Sequence, residues 1–419
     1  MSWHRQGRCA QVADPGRGRH VVMLVRNTYT HDSRVEKEAR TLTAAGYRVT
    51  VVADAAAGLP ERERRDGVEV RRVARRGPRL PGVRFVLHQA RLSRALRVLR
   101  PDILHAHDSN ALIPVALAAG ALRVPFVYDA HDLWLGRPRR ERSRLYFFLS
   151  QLTYSIVERL LVPRAAAVLT VSEPIARHLE RRYRLDRVHL VPNYPEVTGP
   201  AGRKDLRDLP GGAAIRSSGP VVLYLGGLMG GRGLEQLVDA LRVARSTQLI
   251  LLGEGPLASE LVHRAAAFGA GDRLHLLEPV APDDVIAYAA SADIGVSPIV
   301  PSCLNYRYSL PNKLFQYMAA GIPAVASDLP QVRDVVDGAR CGLVVDTTRP
   351  EAIAAAIERL AGDPDGARAM GRRGREAVED RYNWSAAAAT LIGAYAGLNA
   401  HPRTTGRAIV ETPDAEQTR

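Results

Sequence analysis

The chain has 419 residues, 46% hydrophobic and 24% charged, the composition of a globular protein long enough for two domains of ordinary size. Its net charge of +14 rests on arginine, the only lysines being Lys37, Lys204 and Lys313, and such basicity favours nucleotides, anionic lipid or nucleic acid as partners. Three scattered cysteines argue against a disulfide framework or thiolate metal site and fit a reduced, cytoplasmic setting, and no segment reads as a secretory signal or a membrane span.

Residues 1–19 are polar and Gly/Arg-rich and are expected to form a disordered tail. From His20 the chain alternates strand and helix. Val21–Val25 is a continuous apolar run, as expected of a strand buried on both faces. Ser33–Ala45 follows with Val35, Ala39 and Leu42 at helical spacing, and further strands are expected at 49–53, 102–107, 125–131, 167–172 and 188–193. Residues 196–219 carry Pro, Gly, Ser and charge without periodicity and read as a linker. A second series then begins, with strands at 221–226, 248–253, 274–278, 294–298, 323–327 and 342–346. Its helices include Glu235–Ala244, Asp283–Ala290 and Glu351–Ala361. Strand–helix recurrence of this kind predicts two doubly wound α/β domains, 20–195 and 220–383, facing a cleft, with a disordered tail at 399–419.

Two segments of the second series are suited to an anion. Gly226–Gly233 is a glycine-rich turn after a strand, where backbone amides can approach a phosphate closely. In YSLPNKLFQYMAAGIPAVAS, residues 308–327, a Pro-started helix with Lys313 in its first turn ends at Gly321. The open N-terminus of such a helix carries free N–H groups and partial positive charge.

The blocks HDSRVEKEARTLTAAGYRVTVVA, DILHAHD, FVYDAHDLW, VLTVSEPIARHL, VPNYP, YLGGLMGGRGLEQLVDAL, LLGEGP, SADIGVSP and NKLFQYMAAGIPAVASD occur in that order between His20 and Leu398. In these the chain resembles the retaining GT-B glycosyltransferases of family 4 (glycosyl transferases group 1). The resemblance implies two Rossmann-like domains. The first presents an acceptor, the second binds a nucleotide sugar, and a last helix, here 384–398, crosses back to the first. It implies that Gly227 and Arg232 receive the donor pyrophosphate, Asn312 and Lys313 its distal phosphate, and that Glu254 contacts the donor. The family's paired glutamates fall on Tyr308 and Gln316. Gln316 keeps a hydrogen-bond acceptor without charge, whereas Tyr308 cannot act as a carboxylate. A donor-binding place is still expected for both. His131 matches the family histidine beside the reacting sugar, where a neutral imidazole would orient donor and acceptor. Asp32, Arg34, His107 and Asp108 stand at strand ends on the acceptor side. The mechanism implied is same-face attack without a protein nucleophile, a cofactor or a metal.

Other signals point elsewhere. Gly253–Gly255–Ala258 with Glu278 imitates a dinucleotide fingerprint, which keeps an NAD-dependent dehydrogenase open. A nucleotide-binding relative without turnover, or an epimerase of the same fold, also stays open. Asp363–Pro364–Asp365 is formally a DxD in a turn, and His105 and His107 share one strand face with no third ligand in view. Arg62–Arg100, with Arg91, Arg94 and Arg97 at three-residue spacing, and Arg137–Leu161 combine arginines with apolar residues. Either stretch suits peripheral contact with an anionic membrane or a solvated helix face, and no nucleic-acid module is recognisable. The expected partners are a nucleotide-sugar donor and a glycan or lipid-linked acceptor of the cell envelope.

Overall fold

The computed structural model describes residues 16, 18–30, 32–75, 81–137, 144–197, 199, 202–216 and 218–400. Most of both expected tails lies outside these residues. Gly16 and Gly18, placed in the first tail by the sequence, instead donate to the carbonyls of Ala45 (3.1 Å) and Gly46 (2.9 Å).

The first sheet has eight strands: β1 (His20–Leu24), β2 (Arg48–Asp54), β3 (Arg62–Arg65), β4 (Val68–Val73), β5 (Ile103–His107), β6 (Phe126–Ala130), β7 (Ala167–Thr170) and β8 (His189–Leu190). Their spatial order is β3-β4-β2-β1-β5-β6-β7-β8, and every pair is parallel except β3–β4. The strand expected at 188–193 shrinks to two residues, because Pro192 has no N–H to continue the ladder. Around this sheet lie α1 (Ser33–Ala44), α2 (Pro81–Val98), α3 (Ser109–Leu122), α4 (Arg144–Leu161) and α5 (Glu173–Tyr183).

The second sheet contains β9 (Val221–Leu225), β10 (Gln248–Leu252), β11 (Leu274–Leu277), β12 (Ile294–Ser297), β13 (Ala324–Ser327) and β14 (Gly342–Val345), in the order β11-β10-β9-β12-β13-β14. It is parallel throughout, and its strand order is that of a dinucleotide-type doubly wound fold. Its helices are α6 (Leu234–Asp239), α7 (Ala258–Ala267), α8 (Val285–Ala289), α9 (Leu304–Arg307), α10 (Asn312–Ala320), α11 (Pro330–Ala339), α12 (Pro350–Gly362) and α13 (Pro364–Asp380). Two expected helices are shorter than read, since 240–242 and 282–284 are 3₁₀ turns.

The segment read as a linker is largely part of the second domain. Leu206 and Ile215 are buried in its core, and the Leu206 amide donates to Ser291 Oγ at 3.1 Å. Apolar residues this sparse among charged residues and glycines give no periodicity by which sequence could find them. The last helix, α14 (Trp384–Ala400), packs into the core of the first domain through Trp384, Ala387, Leu391 and Tyr395. Trp384 fixes the crossing: its amide donates to Pro195 O (2.8 Å) and its indole to Thr41 Oγ1 (2.9 Å).

Candidate active site

A cavity of about 850 Å³ lies between the domains at the carboxyl ends of both sheets, where open α/β sheets bind ligands. The second domain supplies its cationic wall. After β9 the chain turns through Gly226–Gly233, and Gly233 has φ +71° with Pro298 so close that an added Cβ would lie 1.7 Å from its carbonyl oxygen. Only glycine fits there. The turn presents Gly227 and Arg232 to the cavity. Opposite stands the open end of α10, pinned to the sheet by Tyr317, whose hydroxyl receives the Leu225 amide (3.1 Å) and donates to Val296 O (3.0 Å).

Lys313, in the first turn of α10, is only 8% exposed. Its Nζ lies 3.4 Å from the centroid of the Tyr224 ring, and among the described residues it has no carboxylate partner. Burial, and secondarily Arg232, hold its pKa well below that of an ordinary lysine. Arg232 has no ion-pair partner among the described residues either. Its guanidinium lies 5.5 Å from the centroid of the Tyr306 ring. A buried lysine and an arginine without counter-charges beside a helix N-terminus form a site for a polyanion. Asn312, Gln316 and Glu254 line the same cavity.

The first domain supplies the other wall through Asn27, Asp32, Arg34, His131, Asp132 and Asn193. Asp32 caps α1, accepting from the Val35 amide (3.2 Å), and its other oxygen takes Asn27 Nδ2 (2.7 Å). Arg34 is nearly fully buried and grips Asp129 with two prongs: Nε to Oδ2 at 2.9 Å and Nη2 to Oδ1 at 2.8 Å. A third contact runs to the Val191 carbonyl. Asp129 Oδ2 is also 2.9 Å from His131 Nε2. Burial opposes charge on His131, but Asp129 and Asp108 outweigh it and raise its pKa to about 9. These carboxylates thus favour the charged ring over the neutral imidazole expected from the sequence.

Residues 33–194 match the family described as Glycosyltransferase Family 4, and residues 219–363 that described as Glycosyl transferases group 1. The chain belongs to this glycosyltransferase family. Two relatives are the alpha-D-kanosaminyltransferase of Streptomyces kanamyceticus and the alpha-maltose-1-phosphate synthase of Mycolicibacterium smegmatis. The first is 27% identical over 70% of this chain and 76% of its own length, and the second 29% identical over 71% and 79%. The fold is shared with sucrose-phosphate synthase from Thermosynechococcus elongatus (TM-score 0.70, 20% identity, 91% of this chain and 99% of that one). It is shared too with Anabaena HepE, solved in complex with UDP-glucose (TM-score 0.68, 16% identity, 89% and 98%). The protein is thus a GT-B glycosyltransferase that uses nucleotide sugars.

Three residues singled out in the sequence do not line the cavity of the glycosyltransferase. Tyr308 turns away, its ring 6.3 Å from that of His178 on α5 and its carbonyl accepting from Ser172 Oγ (2.8 Å). It ties the second domain to the first, and Ser309 and Leu310 border the cavity at that point instead. His107 is buried behind His131, with Nδ1 3.1 Å from its Nε2. Asp108 accepts from the His131 backbone amide at 3.1 Å. The sequence reading missed Asp129, although a carboxylate inside the otherwise apolar run FVYDA, two residues before His131 and so on the same strand face, was a legible signal.

The dinucleotide-like glycines of the glycosyltransferase have a packing reason. A Cβ on Gly253 would lie 2.2 Å from Gly226 O, and one on Gly255 2.3 Å from Leu228 O, so they let this turn pack against the anion turn. Asp363 of the DxD caps α13, accepting from the Gly366 amide (2.9 Å). His105 and His107 do acquire neighbours that sequence could not show. Glu38 and Asp129 bring potential ligand atoms within 4.8 Å of both. Arg34 already balances that charge, with Nε 3.1 Å from Glu38 Oε1, so a cation placed there would face the guanidinium.

Proposed function

We propose that the protein transfers a sugar, with retention and without a metal, from a nucleoside-diphosphate sugar to a lipid-linked or polysaccharide acceptor of the cell envelope. The observation that carries this is the pair Arg232 and Lys313, basic groups without counter-charges among the described residues at the open end of α10, in a cavity whose far wall belongs to the other domain. They would hold the diphosphate and stabilise the charge it gains as it leaves. The bond from the sugar's anomeric carbon to the phosphate oxygen breaks while one to the acceptor oxygen forms on the same face. The acceptor's proton passes to the departing phosphate oxygen.

A lipid-linked acceptor is favoured by the outer face of the first domain. Phe148, Leu152, Ile156 and Leu160 recur every fourth residue along α4 and are 62%, 48%, 51% and 53% exposed, while the one carboxylate of α4, Glu158, is buried. This helix thus carries an apolar stripe on its solvent side as well, unlike an ordinary surface helix. On α2, which packs against α3 as α4 does, Val83 and Val86 are exposed, as are Arg84, Arg94 and Arg97, and neither α2 nor α3 contains a carboxylate. No helix among the described residues is long and apolar enough to cross a membrane. An exposed apolar stripe among arginines suits peripheral contact with anionic lipid, here at the inner face of the plasma membrane.

The test is a thermal-shift panel of UDP, GDP, ADP and NAD, followed by donor turnover and determination of the product's anomeric configuration. Stabilisation by a nucleoside diphosphate, reduced in Arg232→Ala and Lys313→Ala, is expected. Binding without hydrolysis or transfer from any nucleotide sugar would favour a non-catalytic relative, the reading prompted by the absence of carboxylates at 308 and 316. An inverted product would refute retention.

A further inference from the structure

We propose that Asp129 is the positioning residue of the transfer site: clamped by Arg34, it keeps the Nε2–H of His131 inside the protein and leaves Nδ1 toward the cavity as a hydrogen-bond donor. The proposal rests on the reading of that cavity as the site of sugar transfer, and it takes Arg34 out of the acceptor-binding set.

The geometry leaves little freedom. Asp129 is fully buried, and its two oxygens meet four nitrogens: Arg34 Nε (2.9 Å) and Nη2 (2.8 Å), His131 Nε2 (2.9 Å) and His107 Nδ1 (3.5 Å). A two-pronged guanidinium fixes the plane of a carboxylate as well as its charge. The imidazole ring is then held at Nε2, while its Nδ1 has no hydrogen-bond partner among the described residues and the side chain borders the cavity.

Charged and titratable groups surround this ring on several sides. From α1 and its cap come Arg34, Glu38 and Asp32, from β5 and the following turn His105, His107 and Asp108, and beyond β6 come Asp132 and Arg137. Asp132 and Arg137 pair with each other at 3.0 Å. Burial, then Asp129, push the Glu38 carboxyl up, while Arg34 opposes them. Arg34 and burial oppose a proton on His131, whereas Asp129 and Asp108 favour it and prevail.

The consequence is chemical. A neutral His131 with Nε2–H on Asp129 would offer the cavity a lone pair and could act as a base. The charged ring offers an N–H and can only donate. His131 would then hydrogen-bond an oxygen of the donor, and the acceptor's proton must leave by another route, consistent with its passage to the departing phosphate.

The decisive measurement is ¹⁵N NMR titration of the full-length, histidine-labelled protein without substrate, the His131 signal assigned by its loss in His131→Gln. His131 is expected to titrate near pH 9 with both ring nitrogens protonated at pH 7, and in Asp129→Asn to fall to or below the ordinary 6.5. Turnover should hold through neutral pH and decline as pH rises through about 9 in the wild type, with the decline displaced to lower pH in Asp129→Asn. Because opening a buried ion pair destabilises strongly, the wild-type titration decides alone if that variant does not fold. A wild-type value at or below 6.5, or one unchanged in Asp129→Asn, would overturn the proposal. Failure of every nucleotide to bind would instead overturn the reading of the cavity.

Discussion

Lys313 makes the diphosphate reading testable, because its proton affinity must rise when an anionic ligand arrives. In the empty site, burial and Arg232 both disfavour the ammonium form. A phosphate oxygen about 4 Å away, at an effective dielectric of about 20, attracts it by roughly 4 kcal/mol. The pKa therefore rises on binding. Between the depressed free-state value and the restored bound-state value, binding must take up a proton. Affinity must strengthen as pH falls through the bound-state value and level off below the free-state one. Calorimetry of UDP or GDP binding at several pH values below the ordinary lysine range, in buffers of different ionisation enthalpy, should show net proton uptake. Lys313→Met should abolish that uptake. Losing a hydrogen bond to a charged group costs about 1.5–3 kcal/mol, so the variant should bind about tenfold to a hundredfold more weakly. Without nucleotide it should melt no lower than the wild type, because an unpaired buried amine has been replaced by an apolar chain of similar length. A variant that melts lower without nucleotide yet binds equally well, with unchanged proton uptake, would make Lys313 a structural residue and refute the reasoning.

Two further outcomes follow from the geometry. Burying the exposed half of Phe148, Leu152 and Ile156 in lipid contributes about 1 kcal/mol each, so the triple serine variant should bind anionic vesicles about a hundredfold more weakly in flotation assays while keeping its nucleotide affinity. Equal flotation of variant and wild type would dismiss α4 as the contact. Tyr308→Phe should leave donor affinity within about twofold, since the ring points at α5, whereas Gln316→Ala should weaken it about twofold to tenfold, the worth of one hydrogen bond. Titration of both variants with the donor, once identified, would expose the reverse order if Tyr308 does bind the sugar.

The parts of the fold legible in the sequence are those whose cause is local. Strands β1, β9 and β10 are buried on both faces, so they read as nearly continuous apolar runs. By contrast β3 and β4 lie at the sheet edge, and in β4 buried Val68, Val70 and Arg72 alternate with half-exposed residues. With arginine on the buried side as well, the period-two signal dissolves into a basic cluster. Helix α13 was hidden for a different reason. Gly371 and Gly374 lower its helical propensity, yet a Cβ on Gly371 would lie 1.9 Å from Gly321 O, so glycine is what lets α13 pack against α10. Within the site, the anion turn and the helix start were legible because glycine, proline and lysine act through their own backbone and charge. The Arg34–Asp129 pair joins positions 95 residues apart, and no local pattern announces it.

That pair also shows why residue type alone misassigned a role. Three arginine or lysine side chains border the cavity, and sequence gave all three a ligand. Arg34 meets two carboxylates at 3.1 Å or less, so its charge is spent on the scaffold, and its removal would disturb Asp129 and His131 before any substrate. Arg232 and Lys313 meet aromatic rings instead. A ring tolerates a cation without cancelling it, which leaves both groups available to an incoming anion. Lys313 is the more telling of the two, because a deeply buried, unpaired amine lowers the stability of the empty protein and is relieved only when a counter-charge arrives. The distinction between a cation that holds the fold and one that waits for a ligand lies in its partners, and those are fixed only once the two sheets and the cleft between them have formed.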